Sequence, residues 1–294
     1  MTGVSEEAVL AIDMGGTKVA VASVGGEVIR DRRQIATPRT GKGADLVQAI
    51  VREIGPVPAT RRIAVATTGV VREGCLTALN PSTLPIEDDF PLAAAIKEAT
   101  GVEPLVINDA QAAAWAEYRY GAGRGCRTFA FVTISTGIGA GIVTEGRLLI
   151  GQAGLAGHVG HVVAVRSGPP CGCGRRGCLE TLASGTAIGR RGSEVLGRPV
   201  TAPEVFAEAT GGNAEASALL DDAAGHLANA FADLTAVCDL DVIAIGGGVG
   251  LAPGFLDRVR RAMLDLPPTF RRPLTLAQAG ADAGLLGAAA LVSA

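Results

Sequence analysis

The stretch HVGHVVAVRSGPPCGCGRRGC, residues 158–178, holds two of the chain's three histidines and three of its six cysteines. Cys171 and Cys173 stand one residue apart, and Cys178 follows five residues later. A disulfide across one intervening residue would be strained. Three soft thiolates and one imidazole instead make a closed tetrahedral zinc site of the Cys3His type, with His161 or His158 supplying the nitrogen. The alternatives are thiols packed as small apolar groups, or redox chemistry. Cysteines set among glycines and arginines are poorly placed to pack, which favours zinc. Four protein ligands leave no open position for a catalytic water, so such a zinc is structural and ties a loop whose flanks face something else. Cys75, Cys126 and Cys238 are scattered and read as inert, and His226, within a helical stretch, reads as a residue without a role.

Three glycine clusters suit an anion better than a metal. DMGGTK, residues 13–18, lies between two β-rich runs. Its glycines let backbone N–H groups approach an anion, Thr17 adds a hydroxyl donor, and Asp13 at the strand end can hold Mg2+ through water. It is not a P-loop, because the four-residue spacer before the Gly-Lys pair and the following helix are both missing. On its own a plain hairpin turn explains it equally well. STGIGAG, residues 135–141, repeats the device in the second half, and GGGVG, residues 246–250, follows a buried run. The third cluster fits a dinucleotide fingerprint poorly, since Leu251 stands where the last glycine belongs. Two matched turns from two halves, with a third glycine loop, point to a nucleotide held between lobes.

One carboxylate has a strand end of its own. LVINDAQAAAW places Asn108 and Asp109 where a strand gives way to a helix. Asp before a helix is commonly an N-cap, and from these residues alone the cap is the stronger reading. The functional reading is a general base that takes the proton of a sugar hydroxyl as it attacks a phosphoryl group.

The elements that must position these groups follow an α/β grammar. VLAIDMGGTKVAVASV (9–24) and TFAFVTISTGIGAGIVTEG (128–146) each read strand, glycine turn, strand, an internal repeat with one unit opening each half. Between them the pattern predicts a helix near 43–54, a loop at 55–60, a strand near 61–67, a helix near 91–100, a strand at 104–108 and a helix from 110 that buries Trp115. Beyond the cysteines come helices at 185–196, 202–210 and 213–237, a strand at 241–248 and an apolar C-terminal helix. A hinge near 109 divides the chain into a first lobe of 1–110 plus 282–294 and a second of 111–281. With 48% apolar and 3% aromatic residues, the core is mostly Ala, Val, Leu and Ile. A net charge of −3 offers no basic face to nucleic acid. No apolar run reaches the ~18 residues that span a bilayer, and the acidic N-terminus is unlike a signal peptide, so the expected location is the cytoplasm.

Taken together, DMGGTK, INDA, STGIGAG, GLAGHVGH, CGCGRRGCLE, the ASG at 183–185 and GGGVG resemble, in family order along nearly the whole chain, the ROK family of sugar kinases. The resemblance implies the two-lobed actin-like/hexokinase (ribonuclease H-like) α/β fold, with the active site in the interlobe cleft. It implies ATP, Mg2+ and a structural Zn2+, a small amino sugar as partner, and a homodimer. It assigns Asp13, Gly15, Gly16, Thr17 and Lys18 to the ATP phosphates, Thr136, Gly137 and Gly139 to the second phosphate loop, and Gly246 and Gly247 to the adenosine. Asp109 becomes the catalytic base. Gly69, Asn80, Asn108, Asp109, His158, His161 and Glu180 contact the sugar, and His161, Cys171, Cys173 and Cys178 bind zinc. Many family members have Glu where this chain has His158, and the family's glucose kinases use that Glu on ring hydroxyls. A neutral His offers one donor and one acceptor instead of a charged double acceptor. Together with LNPSTL, INDAQAAAWAE, GLAGHVGH and DAGLLGAA, this departure resembles the family members that phosphorylate N-acetylmannosamine at the 6-hydroxyl. Glucose or N-acetylglucosamine is the alternative substrate. A non-catalytic sugar sensor fits less well, because the first phosphate turn begins at residue 13 and leaves no room before it for a DNA-binding domain.

Overall fold

The computed structural model describes residues 8–57, 62–80 and 83–293. The chain packs as two units: Met1–Gly121 with Leu148–Ala156 and Ala279–Ala294, and Ala122–Arg147 with Gly157–Gln278. The sequence pattern places the divisions at 110/111 and 281/282. In the structure they fall at 121/122 and 278/279, and residues 148–156 join the first unit. The helix from 109 to 120 packs on the C-terminal helix, and both stay with the first sheet.

In the first unit, β1 (Val9–Met14), β2 (Lys18–Gly25) and β3 (Val28–Ala36) form a meander. It is followed by α1 (Gly43–Ile54), β4 (Ile63–Thr67), the small hairpin β5 (Val70–Arg72) and β6 (Cys75–Thr77), then α2 (Leu92–Thr100), β7 (Pro104–Asn108) and α3 (Asp109–Tyr120). The main sheet runs β3-β2-β1-β4-β7. β1 and β4 pair in parallel, Ile12 opposite Val65, and every residue of β4 is buried, as expected of a central strand covered on both faces. The sheet ends on one side with β3, VIRDRRQIA, whose charged and mostly exposed residues blunt an edge strand. Of the strand predicted at 61–67, Arg61 lies outside the described residues, as do 58–60 of the predicted loop and residues 1–7, on which part of the signal-peptide reading rests. Pro81 and Ser82 of LNPSTL lie outside them too.

In the second unit β8 (Thr128–Ile134), β9 (Ile138–Thr144) and β10 (Arg147–Leu148) form the matching meander. Helices α4 (Glu180–Ala183), α5 (Gly185–Leu196), α6 (Ala202–Thr210) and α7 (Ala214–Cys238) come next, then β11 (Val242–Gly246), α8 (Gly247–Gly250), α9 (Phe255–Met263) and β12 (Leu274–Leu276). The sheet order β10-β9-β8-β11-β12 has the same pattern as the first, so the repeat read from the sequence is a repeat of topology. The strand predicted to run to 248 stops at Gly246, where the chain turns into α8. Gly247 has φ +80, a conformation that ends the extended run and that side chains with a Cβ rarely adopt.

Each unit has its own core. Ile12, Met14, Leu46, Ile50 and Ile96 centre the first, and Val132, Leu220, Leu227, Phe231 and Phe255 the second. The C-terminal helix Ala283–Ser293 is buried along Ala283–Ala290, and its small residues let it approach the Ala-rich α3 closely. Trp115 is buried, as predicted.

Candidate active site and metal centre

In the first unit, the turn between β1 and β2 is closed from within and from behind. Gly15 N–H donates to Lys18 O at 2.9 Å, while Thr37, just past β3, donates its N–H to Thr17 O at 3.0 Å and its hydroxyl to Gly15 O at 2.7 Å. Arg39 adds a guanidinium N–H to Gly16 O at 3.1 Å. The carbonyls of Gly15, Gly16 and Thr17 are thus all engaged by the protein, whereas the side chains of Thr17 and Lys18 are exposed. Asp13, the last but one residue of β1, is partly buried, and its carboxyl is pushed up to about 7. Burial is the main cause, followed by the negative charges of Asp109 and Asp282, with Arg32 opposing. Arg32 Nε donates to Asp282 Oδ1 at 2.8 Å.

The NDA doublet divides its labour differently from the sequence expectation. The N-cap of α3 is Asn108, not Asp109. Asn108 has extended backbone angles, and its Oδ1 accepts from Ala110 N–H at 3.0 Å and Gln111 N–H at 3.1 Å. Its Nδ2 donates to Gly69 O at 3.0 Å. Asp109 is therefore the first helical residue and accepts from the adjacent Ala110 N–H, at 2.8 Å. Burial raises the Asp109 carboxyl above its ordinary range, and the hydrogen bonds from the Ala110 backbone and from Asn108 only partly offset it. Gly69, Asn108 and Asp109 come together in this way. Asn80 sits past β6, where its carbonyl accepts from Thr83 N–H at 2.9 Å.

In the second unit, the corresponding turn, Ser135–Gly137, joins β8 to β9. Gly185 N–H donates to Ser135 O at 2.7 Å and the Thr186 hydroxyl to Thr136 O at 2.9 Å. Ser184 caps α5 through Ala187 N–H, so the ASG motif both starts a helix and carries this turn. Glu180, the first residue of α4, accepts from Ile138 N–H at 3.0 Å. Gly139 lies in β9, Gly246 ends β11 and Gly247 opens α8.

The cysteine loop lies in the same unit. The ligand atoms of His161, Cys171, Cys173 and Cys178 all fall within 4.8 Å of one another. Cys173 Sγ is 3.7 Å from Cys178 Sγ, and Cys171 Sγ is 3.6 Å from His161 Nδ1. A tetrahedral zinc with Zn–S bonds of ~2.3 Å holds its sulfurs ~3.8 Å apart, so the spacing and donor set both fit that ion. Burial, then the neighbouring thiols, push Cys178 up to about 12, a cost that a cation among the sulfurs would reverse. The histidine in the cluster is His161. The His158 ring stands 6.4 Å from that of His161, outside the ligand group.

The ROK family model matches residues 9–294. The chain belongs to the ROK family. An N-acetylmannosamine kinase of Citrobacter koseri is 45% identical over 284 residues, 96% of this chain and 97% of that protein. Among solved structures, the ROK hexokinase of Thermus thermophilus is 35% identical, covering 96% of each chain with a TM-score of 0.81. The ROK family glucokinase of Streptomyces griseus, solved with glucose and AMPPNP, is 30% identical, covering 97% of this chain and 98% of that one with a TM-score of 0.80. The α/β fold of the actin-like ROK kinases, expected from the motifs, is the fold of this chain.

Several residues that shape these ROK motifs had no signal in the sequence. Asp282 and Arg32 act on Asp13 from 250 positions apart in the chain, and Thr37 and Arg39 close a turn some twenty residues earlier. Only the Asp at 282, at the head of the DAGLLGAA phrase, lay inside a recognised motif.

The charge of Asp13 should be visible in stability. Its carboxyl binds a proton more tightly when folded, so between about pH 4 and about pH 7 stability falls as pH rises. Asp13→Asn removes that dependence. In magnesium-free buffer its Tm gain over the parent protein should grow from about pH 5 to about pH 7 and then level off, as read by scanning calorimetry. A gain independent of pH would show that Asp13 titrates in its ordinary range.

Proposed function

We propose that this protein is an ATP-dependent kinase that transfers the γ-phosphoryl group of ATP to the 6-hydroxyl of N-acetylmannosamine. The observation that carries the chemistry is Asp109: a carboxylate relieved of capping by its neighbour and held at a raised pKa, as a general base requires. The choice of sugar rests on the full-length likeness to N-acetylmannosamine kinases, 45% and 47% identical for those of Citrobacter koseri and Yersinia pestis. His158 agrees with that choice and disfavours glucose.

Asp109 accepts the 6-hydroxyl proton as the sugar oxygen bonds to the γ-phosphorus and the bond from that phosphorus to the ADP oxygen breaks. The phosphates lie on Gly15, Gly16, Thr17 and Lys18 and on Thr136, Gly137 and Gly139, with Gly246 and Gly247 near the adenosine. Backbone donors already fixed by the hydrogen bonds around both turns need no reorganisation as charge moves. Asp13 would hold Mg2+, which would supply counter-charge to the phosphates and favour the ionised form of that carboxyl. Gly69, Asn80, Asn108, Asp109, His158, His161 and Glu180 contact the sugar. The amide of Asn108 is heavily used by the fold: its oxygen caps α3 and its nitrogen reaches Gly69 O and the Asp109 carboxyl.

The Cys3His cluster binds zinc as a structural ion. A zinc on His161 Nδ1 leaves the proton on Nε2, so the same ring can donate to the sugar. The enzyme works in the cytoplasm, where thiols stay reduced. No described helix is long and apolar enough to cross a membrane. Family resemblance alone supports a homodimer.

An assay coupling ADP release across N-acetylmannosamine, N-acetylglucosamine, mannose and glucose tests the substrate. The highest kcat/KM is expected for N-acetylmannosamine, and a preference for glucose would overturn the assignment. Freshly purified protein should contain one zinc per chain by elemental analysis. Cys173→Ser should lose the zinc and raise the KM for the sugar, while active protein free of zinc would contradict the structural role.

A further inference from the structure

We propose that Glu180 is also a positioning residue for the second phosphate turn, so that a single carboxylate links the sugar to the ATP phosphates. This deepens the kinase reading above and rests on it for the identity of the two ligands. Glu180 Oε2 accepts the Ile138 N–H at 3.0 Å. Ile138 is the first residue of β9, so the direction of its N–H sets the peptide that follows Gly137. A Cβ added to Gly137 would stand 2.5 Å from Glu180 Oε2. The carboxylate therefore packs directly against Gly137, and a side chain there would push it off the turn.

The other polar group of Ile138 is also closely packed. The backbone of Gly160 lies against the Ile138 carbonyl oxygen so closely that no side chain fits between them. Gly160 precedes His161 by one residue, and Glu180 follows Cys178 by two. The two flanks are themselves joined: Leu179 N–H donates to Val162 O at 2.9 Å, and Val163 bridges to Cys178. The Cys3His loop thus closes like a clasp whose two ends flank one residue of the phosphate turn, Ile138, one end at its N–H and the other against its carbonyl. Oε2 is spent on that peptide, which leaves Oε1 for a sugar hydroxyl. A carboxylate that shifts to meet the sugar shifts the turn with it, and a charged acceptor holds a backbone N–H more strongly than a neutral one.

The test measures binding of AMPPNP with Mg2+ to the sugar-free protein by calorimetry, for the parent, Glu180→Ala and Glu180→Gln. Glu180→Ala leaves the Ile138 N–H without its acceptor and should weaken AMPPNP about fivefold or more. Glu180→Gln keeps an acceptor oxygen and should restore AMPPNP affinity to within about twofold of the parent while still raising the sugar KM. A residue that only contacts sugar, or only supports the loop, would not give this split. Should Glu180→Ala fail to fold, Glu180→Asp replaces it, because a carboxylate one methylene shorter cannot reach the turn and should show the same loss. Unchanged AMPPNP affinity in Glu180→Ala or Glu180→Asp, or no recovery in Glu180→Gln, overturns the proposal. A parent protein that binds AMPPNP but phosphorylates no sugar would overturn the kinase reading instead.

Discussion

The side chain of Asn108 is the interaction on which the arrangement at the head of α3 depends. Its oxygen satisfies two of the orphan N–H groups at the head of α3, and its nitrogen reaches the Gly69 carbonyl. A cap at this position stabilises a helix by ~1 kcal/mol. Its larger consequence is for the next residue. With the cap filled, the Asp109 carboxylate is not consumed by the helix end, and burial raises its proton affinity. Asp13 feels that charge across the sheet, since β1 and β7 both flank β4, and its own carboxyl rises to about 7. Two carboxylates thus sit beside this neutral amide, both with raised proton affinity.

The second unit solves a different problem with the same economy. Its turn after β8 has the sheet position of the turn after β1, but the residues that close it come from a different part of the chain. The ASG motif and the Cys3His loop do that work instead, through Gly185, Thr186 and Glu180. The small loop spans only residues 158–180 and has few apolar side chains to hold it, and the three thiolates and one imidazole that converge within it are the set that the proposed zinc would tie together in place of a core. With the proposed zinc bound, the cysteines would also fix the spacing between Gly160 and Glu180.

What the sequence made legible, and what it hid, follows from the range of the interactions. Both strand–turn–strand units were readable because β-branched runs and glycines are local signals, and helices such as 43–54 and 185–196 ended where glycine or apolar periodicity ended them. The convergence of His161, Cys171, Cys173 and Cys178 was readable because three cysteines in eight residues have few other uses. Asn108 and Asp109 could not be told apart, since both cap helices well and only the dihedral angles show which one stands at the cap. The strand read through to residue 248 failed for a related reason: a glycine run carries no periodicity, and the positive φ at Gly247 is a property of the fold. Asp282, Arg32 and the bond from Glu180 to Ile138 join residues 42 to 250 positions apart, which no local pattern records.

The account stands or falls on Asp109 as a base freed by its neighbour's cap. The most direct measurement is the pH dependence of kcat/KM for N-acetylmannosamine in the parent protein and in Asp109→Asn. Because the group must lose its proton to act, the parent's rate should fall as pH drops, through an apparent pKa above the ordinary carboxylate range. Asp109→Asn should remain folded with its Asn108 cap intact, lose ~10²–10⁴ in turnover, and lose that acid limb. Near-normal turnover in Asp109→Asn, or an acid limb that persists unchanged in it, would contradict the account.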